Sequence, residues 1–120
     1  MFLDSEQLRA MQAGMKATQM KQQVIAHNIS NYETPNYKAK SVSFKEVYNN
    51  ALKDGGDGRY RYDAVVTTRT DTEIRTDGNN VDMDKENLEL YENYVQSVTL
   101  YQKIGGEYSK YRYVLSNFAK

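Results

Sequence analysis

Few residues in this 120-residue chain have the chemistry of a catalytic or metal site. The single histidine, His27, has no cysteine in the chain to share a metal with and no clear carboxylate partner in sequence. Near a predicted helix end, it reads as a capping or solvent-exposed residue, not as a ligand or a base. Ser30, Ser41 and Ser43 lack the setting of a nucleophile elbow, so no Ser/His/Asp arrangement can be assembled. The run Asp77–Glu86, DGNNVDMDKE, is rich in oxygen donors and has the look of a calcium loop. Counted from Asp77, the EF-hand pattern needs Asp or Asn at 81 and Gly at 82, where the chain has Val81 and Asp82. Helix-capping chemistry accounts for the run better. Asp54–Gly58, DGGDG, is not followed by the Lys-Ser/Thr of a phosphate-binding loop. Asn28-Ile29-Ser30 matches a glycosylation acceptor, but the match is short and falls at a helix end.

Arg59, Arg61 and Arg69 near Tyr60 and Tyr62 have the composition of a stacking surface for single-stranded nucleic acid. Sixteen basic and sixteen acidic residues cancel, however, so no net field supports such a partner. The cluster reads as the solvated face of a strand. These residues together predict a protein that is not an enzyme, holds no metal or cofactor, and does not bind nucleic acid.

The elements that would position these residues are mainly helical. Asp4 is a candidate N-cap with Gln7 able to reach back to it, and Leu3 and Leu8 have the spacing of a hydrophobic staple. From there Leu8, Met11, Met15, Thr18, Gln22, Ile25 and Ile29 follow steps of three and four, which predicts a helix over 4–29 with a narrow apolar seam. A second helix is expected over 82–118, with Asp84, Glu86 and Glu89 near its N-terminus, where the helix dipole favours negative charge. Its seam is Leu90, Tyr94, Ser97, Tyr101, Ile104, Tyr108, Tyr111, Leu115 and Phe118. A sustained spacing near 3.5 predicts a left-handed coiled coil. Gly105-Gly106 interrupts it and allows either a kink or the close approach of another backbone.

Between the helices, residues 30–81 are expected to hold a turn, a linker and a small β region. Residues 41–53 read ambiguously, and Phe44, Val47, Tyr48 and Leu52 could make one or two helical turns. DGGDG is the most evident linker. Residues 59–69 alternate as a strand, and Thr70–Thr76 suggests a second, weaker one. A lone hairpin is marginal in water, so this region should lean on the helices. Eleven tyrosines and a mean hydropathy of −0.83 indicate little aliphatic core material, so the chain is either elongated or completed by partners. No run of 18 apolar residues is present and the N-terminus has no signal-peptide pattern.

Pro35, the only proline, must follow the end of the first helix, and Asn28 and Asn31 are suited to close it. The stretch that results, AHNISNYETPNYKAK over 26–40, resembles the N-terminal signature of bacterial flagellar axial proteins. Thr34, Pro35, Tyr37 and Lys38, with Phe44 shortly after, are most similar to the basal-body rod protein of the B type. A second stretch, Gly78-Asn79-Asn80-Val81-Asp82-Met83-Asp84-Lys85-Glu86, is similar to that subfamily's second motif. His27 departs from the pattern, which usually has Asn there.

The resemblance implies one rod-subunit domain over 1–120 whose long terminal helices pair as a coiled-coil-like hairpin. It implies a structural subunit of the proximal rod, exported by the flagellar type III route without a cleavable signal, that builds a hollow axial shaft needed for motility. Its implied partners are other rod subunits, the membrane ring and export gate at the rod base, and an export chaperone. Asn28, Asn31, Thr34, Pro35, Tyr37 and Lys38 would shape the turn after the first helix, and Asn79, Asn80, Val81 and Asp82 would position the start of the last. The residues alone leave two other readings open. One is a monomeric coiled-coil binding or adaptor module for nucleic acid or cell-wall polymer. The other is a wall hydrolase, which no paired carboxylates support.

Overall fold

The computed structural model describes residues 6–48 and 60–118, with backbone alone at Glu6, 45–48 and 60–63. Four elements follow in order: helix α1 (Glu6–Ser30), strand β1 (Lys40–Tyr48), strand β2 (Tyr60–Thr68) and helix α2 (Met83–Phe118). The expected helical hairpin is present. α1 and α2 run antiparallel, since Asn28 meets Glu86, Thr18 meets Asn93, and Gly14 sits against Leu100. Both helices fall within two residues of the ranges that periodicity predicts. The Asp4 cap, the Leu3 staple, the turn at Leu52 and DGGDG lie outside the described residues.

Two local expectations are corrected. Residues 40–48 form strand β1, not helical turns. β1 pairs antiparallel with β2 from Lys40↔Thr68 to Tyr48↔Tyr60. Ser41-Val42-Ser43-Phe44 alternates well enough for a strand, and the pairing overrides the helix-forming residues after it. Thr70–Thr76 is not a strand. It is irregular, and Thr72 donates its hydroxyl to the Asn80 carbonyl at 2.7 Å. The two-stranded sheet packs against α1, as a hairpin with so little cover must.

α1 stops where the turn formers begin. Ser30 returns its hydroxyl to the Ala26 carbonyl at 2.7 Å, and the Asn31 side chain donates to His27 O at 2.7 Å. α2 starts with Asp82 as its cap, accepting from the amides of Asp84 at 3.1 Å and Lys85 at 3.3 Å. It continues through Gly105 and Gly106, and a Cβ added at either would meet nothing within 4 Å.

The core is small, as the composition predicts. Among the described residues its buried apolar members are Leu8, Ala17, Ile25, Ala39 and Val81. The buried polar members are more numerous: Thr18, Asn28, Arg69, Asn79, Asn80, Glu86 and Asn93. Hydrogen bonding therefore carries an unusual share of the specificity at one end of the hairpin.

Candidate functional site

The two sequence motifs fold onto one another. Asn28, in the last turn of α1, is fully buried. Its Nδ2 donates to Lys40 O at 2.8 Å and to Glu86 Oε2 at 3.1 Å. Its Oδ1 accepts from the Tyr37 hydroxyl and from the Lys40 amide, both at 3.0 Å. One side chain thus joins the end of α1, the start of β1 and the first turn of α2. Burial, and then the negative charge of Glu86, push the Tyr37 hydroxyl above its usual pKa, so it stays protonated and donates.

Glu86 shares its other oxygen with Arg69. The Arg69 guanidinium donates to Glu86 Oε1 and forks onto both Glu89 oxygens at 3.0 and 3.1 Å. Asp71 lies 3.6 Å from Arg69 Nε and also holds the Lys85 ammonium. That bond from Lys85, with further help from the charges of Lys85 and Arg69, holds the exposed Asp71 carboxyl below its usual pKa. The Arg69 and Glu86 side chains are 3% and 0% exposed. A charge so deeply buried survives only when paired and fully hydrogen-bonded, as here. Arg69 is therefore not on a solvated strand face, which removes one of the three arginines from the nucleic-acid reading.

Asn79 and Asn80 close the junction from the other side. Asn79 Nδ2 lies 2.8, 3.0 and 2.8 Å from the carbonyls of Asn31, Tyr32 and Thr34, tying down the turn that follows α1 from far along the chain. Asn80 Oδ1 accepts from the Ala39 amide at 2.6 Å, and its Nδ2 donates to Arg69 O at 2.9 Å. Lys38 reaches the Gly78 carbonyl. Gly78 has φ +83°, and a Cβ there would meet Asn36 Oδ1 at 2.2 Å, so the turn requires glycine. Arg75 lies over the Tyr32 ring at 4.2 Å and donates to Val81 O at 3.0 Å.

Each motif residue is thereby placed. Asn28, Asn79, Asn80 and Val81 are buried, Tyr37 and Lys38 half-buried at the junction, and Asn31 half-buried beside it. Thr34, Pro35 and Asp82 are exposed, Thr34 bonding Asn31 Oδ1 at 3.0 Å. His27 is exposed and lies 3.4 Å from the Asn31 amide. Such an arrangement fixes backbone geometry.

The seams divide differently. On α1, Leu8 and Ile25 are buried and Met11, Met15 and Ile29 half-buried. On α2 the row towards α1 is Asn93, Ser97, Leu100, Ile104, Glu107 and Tyr111, all buried or half-buried. The remaining seam residues lie one position further round or beyond: Leu90, Tyr94, Tyr101, Tyr108, Leu115 and Phe118 are exposed, Tyr94 and Tyr101 by 65% and 68%. Tyr94, Val98, Tyr101, Gly105, Tyr108, Arg112 and Leu115 form a second, outward row with the same mean spacing of about 3.5.

Sequence reasoning missed Arg69 as a buried partner, Glu86 as more than a dipole residue, and Asn93 altogether. Asn93 carries the only local signal, an amide on the apolar side of α2. Its Nδ2 donates to Thr18 O at 2.9 Å, bridging the helices.

Residues 8–38 match the family model described as flagella basal body rod protein. The chain is 34% identical to the flagellar basal body rod protein FlgB of Bacillus subtilis (strain 168), over 97% of this chain and 98% of that one. It is 27% identical to FlgB of Escherichia coli (strain K12), over 74% of this chain and 78% of the relative. It is 26% identical to FlgB of Proteus mirabilis, over 67% and 70%.

Proposed function

The chain belongs to the FlgB family of flagellar basal body rod proteins, and from that premise we propose that its terminal helices are what join it to its neighbours in the rod. Its role is structural: it is a subunit of the basal-body rod. The observation that carries the reading is the outward row of α2. A row of Tyr94, Val98, Tyr101, Tyr108 and Leu115 exposed on a neutral chain is what an assembling helix presents before its neighbour arrives.

The whole chain acts as one domain, with the motif junction fixing how α1 crosses α2 and so where the outward row points. Leu8, Met11, Met15, Ile25 and Ile29 hold α1 to its own chain and supply its share of the seam. The subunit sits in the proximal rod, beside the membrane ring and the export gate, and helps to enclose the hollow shaft. It travels by the flagellar export route without losing an N-terminal segment, accompanied by an export chaperone.

A truncation ending at Ile104 tests this in a strain lacking its own copy of the gene. It removes Tyr108, Tyr111, Leu115 and Phe118, each large enough to contribute about 1.5–3 kcal/mol when buried. The expected result is a protein that is made and exported but supports no swimming. Normal swimming with the truncated protein would overturn the reading.

A further inference from the structure

α1 and α2 differ in length, and among the described residues α2 runs on past the start of α1. Asn28 stands beside Glu86, Thr18 beside Asn93 and Gly14 beside Leu100. At equal rise per residue, Glu6 stands level with about residue 108 of α2. The last ten residues or so of α2, roughly 15 Å, therefore extend past every described residue of α1. Tyr113, Val114, Leu115 and Phe118 there are exposed by 70%, 47%, 51% and 85%.

At the level of Gly14 to Lys21, α1, α2 and β1 enclose an open groove of about 490 Å³. Ala17, Val42 and Leu100 make it apolar, and among the described residues Lys21 is its one charged lining residue. Asn93 also lines it. This amide is 4% exposed, and its Oδ1 has no hydrogen-bond donor. A buried acceptor without a donor is costly, and native proteins seldom leave one.

We infer that this groove receives the projecting end of α2 from a second copy of the chain, with the Tyr113 hydroxyl of that copy donating to Asn93 Oδ1. The inference rests on the rod reading above and names the contact through which copies join. Three observations converge on this occupant. The groove is apolar with one unmet acceptor, and tyrosine combines an apolar ring with a hydroxyl donor. The projecting end carries the exposed apolar groups that no described residue of its own chain covers. A contact between two different surfaces of identical subunits is heterologous and propagates, as a rod requires, where a self-matching patch would close into a dimer.

Because the chain contains no cysteine, single-cysteine variants report the contact directly. Purified Thr99→Cys protein, labelled at the groove rim, is mixed with Val114→Cys protein under mild oxidation. Tyr91→Cys, across α2 from the groove, replaces Thr99→Cys as the control. The expected result is a 99–114 disulfide heterodimer in at least tenfold excess over the 91–114 one. Sedimentation equilibrium then compares wild type with Tyr113→Phe, which should self-associate three- to tenfold more weakly. In an Asn93→Leu background, with folding checked by circular dichroism, the same substitution should have no effect. Association with equal cross-linking at both positions would overturn the groove while leaving the rod reading intact. A strictly monomeric wild type whose Ile104 truncation still abolishes swimming would overturn a second copy as the occupant, again without touching the rod reading.

Discussion

Asn28 and Glu86, fifty-eight residues apart, meet through a buried hydrogen bond of 3.1 Å. That contact is where the two motifs become one structural unit. The end of α1 is fixed against the start of α2 by an amide whose other bonds go to Tyr37 and Lys40. In a chain with so little aliphatic core, such a polar junction sets the angle at which the long helices leave it.

Replacing Asn28 with Ala should therefore cost far more than its size suggests. Four hydrogen bonds are lost, and Glu86 Oε2, the Tyr37 hydroxyl and the Lys40 amide and carbonyl each lose their bond to Asn28, so the expected loss is about 3 kcal/mol or more. Asn31→Ala, at a less buried site, should cost under about 1 kcal/mol. Urea unfolding of the two variants side by side checks the ranking.

The Arg69–Glu86 pair should behave as a buried ion pair. Arg69→Met leaves the Glu86 carboxylate buried without its cation, with an expected loss of about 3–5 kcal/mol. Adding Glu86→Met to that variant should recover much of it, because the uncompensated charge is gone. Denaturation across the double-mutant cycle gives the coupling.

Stability should fall at both pH extremes for identifiable reasons. The Tyr37 hydroxyl, raised by burial and by Glu86 above its ordinary value of 10.0, titrates later when folded. Its contribution is fully present below about pH 10 and is lost as the pH rises through the raised folded value. Tyr37→Phe should thus be less stable at neutral pH, by about 1 kcal/mol, and show a shallower alkaline limb. Asp71 lies below its ordinary 3.8, chiefly through Lys85. Its contribution is present above that value and is lost as the pH falls through the depressed folded one. Being exposed, it should weaken further in high salt. Thermal unfolding against pH, repeated with Asp71→Asn, separates the two limbs.

Two glycine substitutions should have opposite signs. Gly78→Ala places a Cβ against Asn36 at a backbone angle unsuited to alanine, with an expected loss of about 2 kcal/mol. Gly105→Ala lies in open space within a continuous helix and should raise the isolated subunit's stability by about 1 kcal/mol. Melting temperatures of the pure variants decide both.

Much of this architecture is legible in the sequence, for reasons that differ from element to element. Local periodicity carries both long helices, and Pro35 with its flanking turn formers carries the end of α1. β1 is not legible, because Lys45-Glu46 suit a helix and the strand is decided by β2, paired from beyond an undescribed segment. Thr70–Thr76 looks like a strand by composition, yet its side chains bond elsewhere, Thr72 donating to the Asn80 carbonyl and Arg75 to the Val81 carbonyl. The motif residues are visible as a resemblance, but not what they do. Asn79 bonding three carbonyls some 45 residues away, and Arg69 burying itself against Glu86, are long-range pairings that leave no local pattern. The α2 seam shows its period but not that two faces share it, since the partner that separates inner from outer is α1.

The central claim is that the outward row of α2 joins the subunit to the rod, and a double substitution on that row tests it most directly. Tyr94 and Tyr101 are exposed and contribute little to the fold, so Tyr94→Ser with Tyr101→Ser should leave the pure subunit's unfolding within about 1 kcal/mol of wild type. Aromatic residues at the centre of an interface commonly carry 2 kcal/mol or more each. Introduced into a strain lacking its own copy, the double variant should be exported and yet support no swimming. A stable variant that restores normal swimming would contradict the account.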